Sequence, residues 1–123
     1  MKPSTYFTAA GILGAAFGMV FALFADEALP LYGLPVTPSM VLEGRYFGSA
    51  LFGLGALGYV MRNARDAALV RKALLAVMLG ATVGAVVSLM GMLTQVLGPL
   101  GWSSFAIYVL LIAFGAMSLK SEN

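Results

Sequence analysis

Four stretches of this chain are long, apolar and almost free of charge, and this constrains its fold more than any other feature. Crossing about 30 Å of hydrocarbon takes roughly 20 helical residues at 1.5 Å each. The first run covers about 6–25 and has no charge. The second covers about 41–61, with Glu43 and Arg45 near its start. The third, about 73–97, carries only Thr82, Ser88, Thr94 and Gln95 as polar groups, and the fourth, about 102–119, is short but charge-free. Backbone groups in lipid must be satisfied within their own segment, so each run is expected to be a helix. Barrel strands would alternate over about ten residues, and these runs do not. The first run is also too long for the core of a cleaved signal peptide, which makes it a span.

Composition supports this choice of solvent. Hydrophobic residues make up 61% of the 123 and charged ones 10%, against about 45–50% and 25% in soluble domains. A soluble core of this size would not hide so many apolar side chains. The expectation is therefore one all-α domain, an integral membrane four-helix bundle.

Direction follows from the cations. Lys2, Arg62, Arg65, Arg71, Lys72 and Lys120 fall on one side of the four spans, and Arg45 alone on the other. Lysine and arginine collect on the cytoplasmic side, so both termini are expected there. Tyr32, Tyr46 and Trp102 then lie toward the outer interface. Between the spans, 26–40 reads as a loop broken by Pro30, Gly33, Pro35 and Pro38. Thr37 before Pro38 reads as a helix start, and Asp66 as the cap of the third span.

Chemistry is limited by what the chain lacks. It has no cysteine and no histidine, which removes disulfides, thiolate chemistry, the usual zinc and haem ligands and imidazole catalysis. No metal site and no cofactor is expected. The few bases sit beside spans rather than on a nucleic-acid surface. No serine or threonine has a base near it in sequence, so covalent catalysis has no support.

Small residues are expected to matter for packing, because lipid tails give no hydrophobic push between helices. Gly14 and Gly18, Gly44 and Gly48, and Gly80 and Gly84 each stand one turn apart on a different span. They suit packing within a bundle or a dimerisation face.

The one polar constellation is at the outer end. Only sixteen uncharged residues separate Arg45 from Arg62, about 24 Å of helix, which pulls Glu43 and Arg45 to the edge of the apolar slab. Two positions apart on a helix, they diverge and pair poorly with each other. Asp26 and Glu27, at the carboxyl end of the first helix, are the acceptors Arg45 needs; the helix dipole disfavours acids there. Gln95 is a further polar group at the same end. Either Arg45 ties helix ends together or snorkels to headgroups, or Glu43, Arg45, Gln95, Asp26 and Glu27 surround an outward pocket for a small polar or lipophilic ligand.

The run Glu43-Gly44-Arg45-Tyr46-Phe47-Gly48, with Leu51, Gly53 and Gly55 after it and Leu31-Tyr32-Gly33 before it, resembles small four-helix bacterial inner-membrane proteins of unknown function near the DoxX-like group. The resemblance implies the architecture and an important Glu43/Arg45 pair, and no reaction. Three functions compete. The first is a non-catalytic accessory subunit or self-associating component, whose partners are membrane lipids and either its own copies or a larger complex. The second is a small transporter or ligand binder, although no acid lies deep in a span to couple protons. The third is an enzyme on a lipid or quinone with Glu43 as acid or base, for which the diverging side chains give poor geometry.

Overall fold

The structure, a computed structural model, describes residues 1–122 and is all-helical. Its five helices are α1 (Pro3–Leu23), α2 (Ala25–Leu31), α3 (Pro38–Met61), α4 (Ala67–Leu93) and α5 (Gly101–Glu122). Three of them, α1, α4 and α5, are long and apolar enough to cross a membrane. At 24 residues α3 is also long enough, but five glycines together with Glu43 and Arg45 dilute its apolar character.

Local sequence explains the helix starts. Pro3 and Pro38 occupy the first turns of α1 and α3, where a missing N–H costs nothing. The Thr37 hydroxyl accepts from the Met40 N–H at 3.2 Å, and Asp66 Oδ1 accepts from the N–H groups of Ala68 and Leu69 at 3.0 and 3.3 Å. Both caps satisfy donors that a helix leaves unpaired at its start.

The segment after α1 is not wholly a loop, as the prolines suggested. The chain breaks helical geometry at Phe24 and re-enters a helix for seven residues. Ala25, Ala28 and Leu29 give this short helix one buried face. The change reverses the electrostatic reading of Asp26 and Glu27. They lie in the first turn of α2, where negative charge is favoured, rather than at a helix end that repels it.

α2 and α4 end in the same way. After α2, Gly33 takes a left-handed φ of +72°, while the N–H groups of Gly33 and Leu34 return to the carbonyls of Pro30 and Leu29. After α4, Gln95 takes φ +60°, with the N–H groups of Gln95 and Val96 returning to Met92 and Gly91. This left-handed turn satisfies carbonyls at the helix end and normally selects glycine. Because of it, α4 stops at Leu93, short of the 97 expected from hydropathy.

The long helices stand in a row: α3 packs on α1, α1 on α5, and α5 on α4, with α2 lying against α1 and α3. α1 and α3 meet through glycine. A Cβ placed on Gly11 would lie 2.6 Å from the Tyr59 nitrogen, and one on Gly48 would lie 2.6 Å from the Gly18 carbonyl. Gly18 and Gly55 face the opposite backbone in the same way. On each helix the two closest contacts are seven residues apart, Gly11 with Gly18 and Gly48 with Gly55, which is two turns.

Elsewhere packing uses side chains. Val70, Leu74, Ala81, Ala85 and Ser88 form the buried stripe of α4. The Tyr108 ring covers Gly84, and Met78 fills the notch at Gly115. At the end of the molecule where the chain starts, Tyr6 and Phe7 join Val70 and Leu74 in a buried apolar cluster. Tyr6 and Phe7 meet edge to face at 5.7 Å. Such rings prefer this approach because the edge of one faces the π-cloud of the other.

Candidate functional site

The polar residues singled out by the sequence all lie at the end of the molecule opposite the termini, and few of them meet. A Cβ placed on Gly44 would lie 3.4 Å from Ala25 Cβ and 3.8 Å from Leu29 Cδ2, so this face of α3 turns toward α2. Glu43 and Arg45 therefore project to either side of the contact between α3 and α2. Arg45 reaches Asp26, with Nη2 3.8 Å from Oδ1. Both side chains are more than half exposed, at 53% and 58%, and a pair so wet contributes about 0–1 kcal/mol.

Glu43, Glu27 and Gln95 are exposed as well. Among the described residues, none of the three makes a side-chain hydrogen bond or ion pair. Gln95 belongs to the turn after α4. That turn is fastened to α2 through the backbone, where the Gly98 N–H donates to the Tyr32 carbonyl at 2.8 Å. Gly33 is indispensable to this joint, since a Cβ on it would lie 2.9 Å from the Gly98 nitrogen.

The concave surface at this end lies elsewhere. A cleft of about 310 Å³ opens between α1, α2 and the start of α5, with Phe17, Val20, Phe21, Leu31, Tyr32 and Leu100 among its walls. None of Glu43, Arg45, Gln95, Asp26 or Glu27 lines it. Phe21 anchors the region, edge to face on Phe47 at 5.3 Å and tilted on Tyr32 at 5.7 Å. A second cleft of about 210 Å³ lies toward the termini on the seam between α1 and α5. Its walls are apolar; the Tyr6 hydroxyl beside it donates to the Leu111 carbonyl at 2.9 Å.

Several helix hydroxyls are absorbed by the backbone, while the buried Ser118 hydroxyl has no hydrogen-bond partner among the described residues. Thr8, Ser49, Thr82 and Thr94 each donate to the carbonyl one turn earlier, at 2.7 to 2.9 Å, as serine and threonine in helices commonly do. At the cationic end, Arg62 stacks its guanidinium 3.7 Å from the centre of the Tyr59 ring and donates to the Tyr59 carbonyl at 3.0 Å. No group of three or more acidic side chains able to hold a metal ion occurs among the described residues. Among the described residues the arrangement has apolar clefts and one exposed ion pair.

Of the glycines singled out as one-turn pairs, Gly18 and Gly48 meet the opposing backbone directly and Gly14 lies close to Gly55. Gly44 faces α2, Gly84 faces the Tyr108 ring, and Gly80 has nothing within 4 Å. The sequence reading did not pair Gly11 with Gly18 or Gly48 with Gly55. Their signal was present, but at a spacing of seven rather than four. The two clefts had no signal at all, because they are gaps between helices and not motifs on one.

Comparison of the chain with known protein families, with curated proteins and with solved structures gave no match.

Proposed function

We propose that this chain is a multi-pass component of a bacterial inner membrane, with α1, α3, α4 and α5 as four spans and both termini on the cytoplasmic side. It acts without catalytic machinery of its own, as an accessory subunit or a self-associating element. The observation that carries the reading is the distribution of exposed surface. α4 exposes Leu75, Leu79, Val83, Val86, Val87 and Met90, and α3 exposes Phe47, Phe52, Leu54, Leu57 and Val60. Ser49 and Thr82 turn their hydroxyls to their own backbone, so the outward surface is largely apolar from Phe47 to Val60 on α3 and from Leu75 to Met90 on α4. Large contiguous apolar surface marks a membrane or protein interaction site.

Topology has its own support. The Ser121 hydroxyl donates to the Met1 carbonyl at 2.7 Å, and Met61 and Ala64 pack beside the cluster of Tyr6 and Phe7. Six of the seven cations thus belong to the end that also carries the termini, which is the pattern of the positive-inside rule. The small four-helix bacterial membrane proteins that the 43–48 run resembles fit the same reading.

The test is native mass spectrometry of the protein gently extracted from its own membrane. A stoichiometric complex, with other chains or with copies of itself, is the expected result. A monomer throughout, with turnover of an added lipid or quinone that Glu43→Gln abolishes without unfolding, would overturn the non-catalytic reading.

A further inference from the structure

We infer that the cleft between α1 and α5 nearest the termini holds one acyl chain of an anionic phospholipid, with Lys2 and Lys120 at its mouth binding the phosphate. The inference rests on the membrane-spanning reading of α1 and α5.

Three observations meet here. The first is charge. The hydrogen bond from Ser121 to the Met1 carbonyl ties the two chain ends together, which puts their immediate neighbours Lys2 and Lys120 at one end of the seam, both exposed. Met1 itself lines the cleft, so the cations stand where the cleft begins. The second is the chemistry of the walls. Ala9, Ala10, Leu13, Ile107 and Leu110 are apolar, and the hydroxyl of Tyr6 is occupied by the Leu111 carbonyl. Nothing in the cleft asks for a polar ligand.

The third is length. Its helical walls, Tyr6 to Leu13 on α1 and Ile107 to Phe114 on α5, each span seven residue steps, about 10 Å of helix. One leaflet of a bilayer has about 15 Å of hydrocarbon, half of the usual thickness. A volume of about 210 Å³ that ends within that depth suits a segment of a single chain and not a helix, whose diameter with side chains is about 10 Å. A positively charged mouth over a small apolar cleft lying within one leaflet is complementary to an anionic lipid.

Lysines near a lipid surface each favour anionic headgroups, and two together correspond to a preference on the order of thirtyfold. The experiment is native mass spectrometry of the protein in mild detergent, supplied with phosphatidylglycerol and phosphatidylcholine of identical chains. Wild type is expected to retain one phosphatidylglycerol with that preference, weakened by salt. Lys2→Gln with Lys120→Gln should abolish the preference while either lipid still binds. Ala9→Phe, which fills the slot from an exposed position, should abolish retention of both lipids, with circular dichroism verifying the fold. A preference that survives the double lysine change overturns the proposal. So does one lost instead on changing Arg62, Arg65, Arg71 and Lys72 to Gln, and so does retention in Ala9→Phe. Failure of the membrane-spanning reading would be visible separately, as release of the protein from membranes by alkaline carbonate.

Discussion

The pair α1/α3 and the pair α4/α5 are both rich in glycine, and they use it in opposite ways. Between α1 and α3 the contacting glycines face backbone: Gly18 meets Phe52 and Gly48, and Gly55 meets Ala15 and Gly11. Between α4 and α5 the contacting glycines face side chains: Gly84 lies under Tyr108 and Gly115 under Met78. Backbone does not move aside, whereas a methionine does. The same residue type therefore marks a rigid seam in one pair and an adaptable one in the other. Under the four-span proposal, close approach lets packing make up for the diluted apolar character of α3, since van der Waals contact is a main source of helix association in lipid.

The comparison is broken most easily at the rigid seam. Gly18→Leu or Gly48→Leu must push two backbones apart, and the expected loss is about 3 kcal/mol or more, measured as a fall in melting temperature in detergent. A melting temperature within a degree of wild type would show that the seam is not close-packed. At the adaptable seam, Gly115→Ala places a Cβ 2.7 Å from Met78 Cγ, and the expected loss is about 1 kcal/mol. Shortening the neighbour should relieve it, so Gly115→Ala with Met78→Ala is expected to be no less stable than Met78→Ala alone. Strict additivity of the two changes would contradict that.

Two stabilising changes sharpen the contrast. Gln95 holds a left-handed conformation that costs a non-glycine residue about 1 kcal/mol, so Gln95→Gly is expected to regain most of it in a denaturation series. The same change at the equivalent Gly33, reversed to Gly33→Gln, should destabilise, because Gly98 fills the space. Gly80 meets nothing within 4 Å. Gly80→Ala should therefore be neutral or stabilise α4 by about 0.5 kcal/mol through helix propensity; a large loss there would mean that a partner covers that face. The smallest effect belongs to Arg45. Its exposed pair with Asp26 contributes about 0.5 kcal/mol, so Arg45→Leu should lower the melting temperature slightly and Asp26→Asn by the same amount. No change in either would remove the tie between α2 and α3.

Much of the fold was legible because bilayer length and proline leave few choices. The starts at Thr37-Pro38 and Asp66 follow from capping chemistry, and the ion pair of Arg45 with Asp26 follows from charge balance at one end of the chain. The short helix α2 was hidden by Pro30 and Pro35, which read as breakers. Ala25, Ala28 and Leu29 at helical spacing behind Asp26 and Glu27 were the signal against that. Glycines one turn apart pointed to the right helices but not to the right contacts. The antiparallel backbones of α1 and α3 come closest two turns apart, at Gly11 and Gly18 on one helix and Gly48 and Gly55 on the other. The end of α4 had no signal, since a glutamine stands where the turn calls for glycine. The polar candidates share one end of the molecule, whereas the clefts depend on how α1 and α5 separate, which no single helix encodes.

The central claim is that α3 crosses the membrane on the strength of its glycine contact with α1, although it is less apolar than its neighbours. The absence of cysteine makes this directly measurable by introducing Val36→Cys before α3 and Asn63→Cys after it, both exposed. A membrane-impermeant maleimide applied to spheroplasts is expected to label the cysteine at 36 at once and the one at 63 only after permeabilisation. Labelling of both from the same side would contradict the claim and leave α3 lying on the membrane.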